Sequence, residues 1–490
     1  MATPIPDNNA PFTLAEIVEA TSGEVLLTPQ GGASASGVTT DTRGELEGKV
    51  FVALRGENFD AHAYLSQAVQ AGARILIVQQ ETSVSFLMNG KFSAVGVVLV
   101  KDTLTALGKL ARFHRERWAG RMAAVAGSAG KTTTRSVISS LLSLARPGKV
   151  HSTQGNLNNR IGVPMTLLGL TAETEFAVVE IGTNTPGEVR ELAAMTQPDV
   201  AVLTLIDLEH TEGLGDLTGV EKEERAIFSA MAGTGVAIGF GEDERVHRSV
   251  QLANCAERIL YGFEKERDLQ ICDREILRPG WALVVLERKD GSRLSINTPL
   301  AGRPGALALA AGVACVESLL GERLQQEACS QAIASAGEPG RNSLVELPGP
   351  RYVIDDTYNS NPISVLNSVS TGLELSQKCG GNLWLVLGEM LELGELSEVS
   401  HRKMGKMAAQ SGAKGAFFVQ GQARLALSAC QESLEHAEYF SSSKEVVAHL
   451  GPMVELCDVV VVKASRGVRA ERVVEDLVEF FSTTRKAGSS

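Results

Sequence analysis

The chain has 490 residues, 44% hydrophobic and 21% charged, with 46 Lys and Arg against 58 Asp and Glu for a formal net charge of −12. Such a chain is long enough to bury about three separate cores; its composition excludes a disordered polymer, and the lack of a basic stripe argues that it binds no nucleic acid. Seven cysteines without a C-x-x-C pair, and an N-terminus MATPIPDNNAPF with no basic segment ahead of an apolar one, predict free thiols in a cytoplasmic protein without stable membrane insertion.

The first segment, residues 1–98, alternates short strands with helices. It carries Thr39-Thr40-Asp41-Thr42-Arg43 and, further on, FVALRG followed by FDAH, which contain Gly56, Asp60 and His62. Hydroxyl, carboxylate and guanidinium beside a glycine turn suit a polar ligand; a capped turn with a surface ion pair uses the same residues. Residues 102–117 then predict a helix with an apolar stripe at Leu104, Leu107, Leu110 and Ala111, leading into the next domain.

The second segment, residues 99–338, is organised around MAAVAGSAGKTTTR at 122–135. An apolar strand, a turn of small residues (Gly127, Ser128, Ala129, Gly130) and a helix opening at Lys131-Thr132-Thr133 form a phosphate cradle. The turn lets backbone N–H groups approach anionic oxygens, the helix N-terminus supplies unpaired donors, Lys131 reaches phosphates and Thr132 suits Mg²⁺. The full P-loop pattern has glycine where this chain has Val125. Strands are predicted at 176–181, 199–206 and 236–240 with helices between, as in a doubly wound sheet. Glu180 stands at the carboxyl end of the first of these, where burial demands a cation: a Mg²⁺ ligand, or a salt bridge. His210 follows the next strand in the same topological place. Alone it reads as a structural histidine; beside a phosphate site it reads as a ligand.

The third segment, residues 339–490, predicts strands at 352–356, 383–388, 416–419 and 458–463, with candidate functional loops at 355–362, 388–394 and 463–467. Arg341, just inside it, has the fork to reach a phosphate across a cleft. The polar tail from Ser482 is expected to fray.

Taken together, TTDTR, FVALRGENFDAH, GSAGKTTT, GNLNNRIGVPMTLL (155–168), EIGTNTPGE (180–188), EHTEGLG (209–215), IDDTYNSNP, LGEMLELGE and VKASRG resemble the Mur ligases over almost the whole chain. The resemblance implies an α/β protein of three domains: an N-terminal domain for the UDP-sugar, a central P-loop ATPase domain and a C-terminal Rossmann-like domain. It implies ATP and Mg²⁺ as cofactors and ligation of D-alanyl-D-alanine to UDP-N-acetylmuramoyl-tripeptide through an acyl phosphate, by a monomer. By position, Lys131, Glu180, His210 and Glu224 become the catalytic set, with Thr132, Glu180, His210 and Glu224 on the metal. Residues 127–133, Arg341, Asp356, Tyr358 and Asn361 face the nucleotide. Asp41, Thr42, Arg43, Gly56, Asp60, His62, Asn156, Asn158, Asn159, Lys463, Ser465 and Arg466 face the substrates.

Two departures stand out. Where Mur ligases usually carry a lysine whose carbamate binds a second Mg²⁺, this chain has Glu224, which keeps the charge on a side chain about 3–4 Å shorter; Glu224 is expected to do that work without CO₂. Lys222, two residues earlier, lies roughly 200° around the helix and faces elsewhere. Arg303 and Leu307 fill positions where the family has His and Asn, so adenine contacts are expected to be rebuilt or weaker. The alternatives are a related Mur or folylpolyglutamate-type ligase with another acceptor, against which ENFDAH and LGEMLELGE speak, and a Mur-like protein with impaired catalysis.

Overall fold

Three large sheets, besides the small pairing of Pro11–Thr13 with Ser34–Ser36, follow one another along the described residues of this computed structural model, which are 4–29, 32–57, 59–89, 94–231, 233–334 and 336–487. In the first, Val50–Val52, Ile75–Val78 and Gly96–Leu99 are parallel and almost entirely buried, as strands covered on both faces must be; Val38–Thr39 and the antiparallel Glu24–Leu27 form its edges. The helix Thr103–Arg117 starts where Asp102 accepts the Thr105 N–H at 2.6 Å. Its Leu107, Leu110 and Ala111 join Val50 and Ile77 of the first sheet to Met122 and Ala124 of the second in one apolar core.

The central sheet has nine strands. Arg121–Ala126 lies in its middle, between Phe176–Glu180 and Val200–Leu203, and all three run parallel. The strand expected over 199–206 stops at Leu203 because Thr204 turns back to donate to the Ala126 and Ala129 carbonyls at 3.1 and 2.7 Å. The predicted strand–helix alternation also misses an antiparallel meander, Leu269–Arg278, Trp281–Arg288 and Arg293–Thr298, that extends one edge. Its strands carry charged residues on a solvated face and lack the continuous apolar runs of buried parallel strands. The helix Gly302–Leu320, with a mean hydropathy of 1.3 over a membrane-length window, meets the length and composition of a span where none was expected. Here it is a core helix: Ala306, Leu309, Val313 and Val316 pack with Val137, Ile138 and Leu141 of the P-loop helix.

In the third sheet Arg351–Asp356, Val459–Lys463, Leu383–Gly388, Gly415–Val419 and His436–Phe440 are parallel, and Ser343–Leu347 is antiparallel at one edge. The two edge strands, Ser343–Leu347 and His436–Phe440, are half-exposed and lack an apolar run, which is why periodicity does not find them. The tail expected to fray at Ser482 continues as helix to Ala487. Beneath the central strands Asp458, 1% exposed, accepts from Trp384 Nε1 at 2.8 Å, Asn382 N at 2.7 Å and Glu455 N at 3.0 Å. Asp458→Ala orphans those donors, so urea unfolding followed by tryptophan fluorescence is expected to show a loss of about 3 kcal/mol or more.

Candidate active site

The loop between Arg121–Ala126 and the helix Lys131–Ala145 is shaped by two glycines. Gly127 (φ 127°) runs so close to the next strand that a Cβ would meet Thr204 Oγ1 at 2.3 Å, and Gly130 (φ 86°) turns the chain into the helix. Val125 is a buried strand residue paired with Val202, so the cradle begins only at Gly127. Ser128 braces the loop: its N–H donates to the Leu205 carbonyl at 2.7 Å and its hydroxyl to that of Asp207 at 2.9 Å.

At the mouth of this loop the structure gathers the expected catalytic residues. Lys131 Nζ donates to the Gly127 carbonyl at 2.5 Å and pairs with Glu209 Oε1 at 3.0 Å. Burial opposes its charge, but Glu209, Glu224 and Glu180 together hold its pKa above the ordinary lysine range. Thr132 donates to Glu180 Oε1 at 3.2 Å, and Asn158 Nδ2 reaches the same oxygen at 2.9 Å. The other oxygen of Glu180 accepts from Arg135 Nε at 3.2 Å. Glu224, the last residue of the helix Leu217–Glu224, is 1% exposed, and its Oε2 has no hydrogen-bond partner among the described residues. Burial, reinforced by Glu209, pushes its carboxyl up to about 7 although Lys131 opposes the shift. Lys222 is exposed and turned away, as the helical spacing requires.

His210 sits on a different footing from the one expected of a metal ligand. Its Nε2 is 3.2 Å from Glu209 and its Nδ1 2.5 Å from Glu392, on the third sheet's side of the cleft. Burial alone would lower its pKa; the two carboxylates raise it to about 9, making it an imidazolium. Glu392 holds a left-handed backbone (φ 63°), and next to it Thr211 Oγ1 donates to the Leu393 carbonyl at 3.0 Å. Because the folded-state pKa of His210 is raised, the stabilisation is complete below about pH 6.5 and is lost as pH climbs through about 9. Glu392→Gln is expected to move the His210 titration, followed by NMR of the ring protons, toward lower pH.

Across the same cleft, Asn361 Nδ2 donates to the Ser128 carbonyl at 3.2 Å and to Glu209 Oε2 at 3.3 Å, while its Oδ1 caps the helix Pro362–Cys379. Arg341 stacks on Tyr358 at 3.9 Å. Residues 128–132, Asn156, Asn158, Asn159, Glu180, Glu209, His210, Arg341 and Tyr358 thus border one cleft of about 240 Å³. Arg466 and Ser465 line an adjoining recess with His210 and Glu392.

Other expected residues have local duties. Asn159 caps the Gly162–Leu168 helix through the Ile161 and Gly162 N–H groups. Lys463, expected on substrate, is 2% exposed and braces the third unit by donating to Asp356 at 2.7 Å and to the Asn359 carbonyl at 2.8 Å; burial lowers its pKa despite Asp356. Asp356 is correspondingly spent on Lys463, Ser368 and the Asn342 N–H. Thr133 is half-buried. Asp41 and Arg43 pair with each other at 2.6 Å, Asp60 pairs with His62 at 2.6 Å, and Thr42 and Gly56 lie beside them; none of these borders the P-loop cleft. Arg303 lies over Phe263 at 3.7 Å, and neither it nor Leu307 lines the cleft.

Sequence reasoning missed Glu209, Arg135 and Glu392. Glu209 directly precedes His210, Arg135 is four residues after Lys131, a spacing that brings both to one helix face, and Glu392 lies within the LGEMLELGE motif. The donor types suit Mg²⁺: the Thr132 hydroxyl beside the Glu180 carboxylate, and the orphaned Glu224 oxygen, are hard oxygens of the kind that ion takes.

Family models match in three blocks: the Mur ligase family catalytic domain at residues 34–115, the Mur ligase middle domain at 125–316 and the Mur ligase glutamate ligase domain at 340–466. The chain is 32% identical over 473 residues to the UDP-N-acetylmuramoyl-tripeptide–D-alanyl-D-alanine ligase of Escherichia coli (strain K12), covering 95% of this chain and 98% of that one. A crystal structure of MurF from Acinetobacter baumannii superposes with a TM-score of 0.83 at 28% identity, over 97% of this chain and 100% of the other. MurF from Thermotoga maritima in complex with ADP gives 0.80 at 26% identity, over 91% and 98%.

Proposed function

The chain belongs to the Mur ligase family, and from that premise we propose that it joins D-alanyl-D-alanine to UDP-N-acetylmuramoyl-tripeptide at the expense of ATP, the last cytoplasmic step toward the peptidoglycan pentapeptide precursor. The observation that carries the proposal is the convergence of Lys131, Thr132 and Glu180 on one P-loop cleft, with the buried Glu224 carboxylate acting on Lys131 and Asn361 of the third unit reaching the Ser128 carbonyl from the far side. Residues 1–98, 99–338 and 339–490 serve in turn as UDP-sugar, ATP and amine-side units, the first through the Asp41–Arg43 and Asp60–His62 pairs. The enzyme works as a monomer in the cytoplasm, in keeping with free thiols at every described cysteine.

The reaction has to bring two anions together, the γ-phosphate of ATP and the terminal carboxylate of the peptide. Lys131 neutralises the phosphate, and the helix N-terminus behind Gly130 supplies N–H donors to its oxygens. Thr132, Glu180 and Glu224 would hold Mg²⁺, which when bound would supply positive charge to offset the two anions. His210 lies between Glu209 and Glu392 in this arrangement, so it contributes as a cation that orders the cleft wall; ligation by His210 requires it to give up Glu392 and a proton. The carboxylate attacks the γ-phosphorus, ADP leaves, and the amine of D-alanyl-D-alanine displaces phosphate from the acyl phosphate. Closure of the third unit, held by the Asn361 and His210 contacts, keeps water from that mixed anhydride. Arg466 and Ser465, in the adjoining recess, receive the dipeptide, while Lys463 acts beneath them through Asp356 and Asn359.

The test is phosphate release. It is expected only when ATP, UDP-N-acetylmuramoyl-tripeptide and D-alanyl-D-alanine are all present. Release with glutamate or another amino acid in place of the dipeptide points to a sister ligase, and no release with any acceptor rejects the assignment.

A further inference from the structure

Arg135 is a buried cation that the proposed chemistry leaves unused. It is 6% exposed and lies on the P-loop helix one turn beyond Lys131. Its three nitrogens go to three different places. Nε donates to Glu180 Oε2 at 3.2 Å, Nη1 to the Thr153 carbonyl at 2.7 Å, and Nη2 to Glu338 Oε1. The next residue, Ser136, donates its hydroxyl to the Ala336 carbonyl at 2.8 Å. Two consecutive residues of the nucleotide helix therefore grip the segment that leads into the third unit. That segment then carries the contact onward: the Arg341 N–H donates to the Glu338 carbonyl at 3.2 Å, Gly340 turns with φ 74°, and its carbonyl accepts the Tyr358 N–H at 3.1 Å. Arg341 and Tyr358, stacked on each other, both border the cleft.

We propose that Arg135 is a positioning residue that couples the Glu180 carboxylate of the P-loop to the Glu338 linker, so that filling the nucleotide site sets the position of the third unit. The proposal rests on the ligase assignment above. The physical basis is competition for one rigid, planar guanidinium. Glu180 on Nε and Glu338 on Nη2 share its charge, and Glu180 also faces Thr132 and Asn158. When Glu180 turns its charge to a cation in the cleft, its hold on Arg135 weakens and Glu338 becomes the chief anionic partner, drawing the linker onto the helix. A lysine carries the charge as a single point on a flexible stem and lacks the fixed planar fork that reaches three separate acceptors, so it keeps only part of the coupling. Glu338, with a side chain 30% exposed, offers a way to cut the link without opening the core.

The experiment compares the full-length chain with Glu338→Gln, Arg135→Lys and the double variant. Binding of the β,γ-imido analogue of ATP with Mg²⁺ is measured by calorimetry, closure by small-angle scattering with and without that analogue, and turnover by phosphate release. Glu338→Gln is expected to keep analogue affinity within about threefold, to lose most of the scattering change, and to lower kcat by about tenfold. Arg135→Lys should fall between it and the wild type, and the double variant should be no worse than Glu338→Gln, because both substitutions cut one link. The proposal is overturned if Glu338→Gln closes and turns over like the wild type, if the two losses multiply, or if wild-type scattering does not respond to the analogue. A wild-type chain that releases no phosphate with both acceptor substrates overturns the ligase assignment instead.

Discussion

Lys131→Met is expected to lower kcat by roughly a thousandfold or more while leaving the binding of UDP-N-acetylmuramoyl-tripeptide, measured by calorimetry, within about threefold of wild type. Methionine keeps the length and apolar stem of the side chain and removes only the charge. That charge is the one cation facing Glu209, Glu224 and Glu180 together, with Glu209 at 3.0 Å. Without it, Glu209 and Glu180 keep His210 and Arg135 as partners, and the loop loses the ammonium that offsets the incoming phosphates. On the proposed assignment the UDP-sugar end is held by the first unit, away from Lys131, so the affinity is not expected to follow. Circular dichroism of the variant should match wild type, because Gly127, Gly130 and the Thr204 hydroxyl shape the loop independently of Lys131. A variant whose turnover stays within tenfold of wild type would remove Lys131 from the chemistry.

Glu224→Ala is expected to cost about a hundredfold or more in turnover, and wild-type turnover is expected to be unchanged when bicarbonate and CO₂ are stripped from the buffer. The reason lies in where the carboxylate sits. Its Oε2 is buried with no hydrogen-bond partner among the described residues, an arrangement that is unfavourable until a cation arrives. Burial raises its folded-state pKa to about 7 against an ordinary 4.5, so the folded protein binds more protons than the unfolded chain between those values and loses stability as pH rises through that window. At roughly 1.4 kcal/mol per pH unit, the loss is about 3 kcal/mol by pH 8. Glu224→Gln should therefore unfold at a higher temperature than wild type at pH 8, show no such gain at pH 4.5, and yet be catalytically poor. A group that destabilises the empty protein and is needed by the working one is the signature of a functional residue. Full activity in Glu224→Ala, or a wild-type enzyme that stops without bicarbonate, contradicts the assignment.

The local pattern carried much of the design. An apolar run, small residues with two glycines and a Lys-Thr pair can form little else than a strand, a phosphate-sized turn and a helix start, because only glycine takes φ values of 127° and 86° there without strain. Glu180 and His210 were legible by the same logic, since a strand end in a parallel sheet faces the ligand side. The periodicity of buried parallel strands located most of the second and third sheets, and it failed where strands are edges or half-solvated, as at Ser343–Leu347, His436–Phe440 and the 269–298 meander.

What the order of residues left open was who pairs with whom across the cleft. Glu209 on Lys131, Glu392 on His210, Asn361 on the Ser128 carbonyl and Glu338 on Arg135 join residues 78, 182, 233 and 203 positions apart. Lys463 looked like a substrate contact and became an internal brace for the same reason. A side chain's type and its place on a strand are local properties, readable from its neighbours. Whether its charge is spent inside the fold or offered to a ligand depends on which distant partner the packing brings within about 3 Å, and only the folded chain decides that.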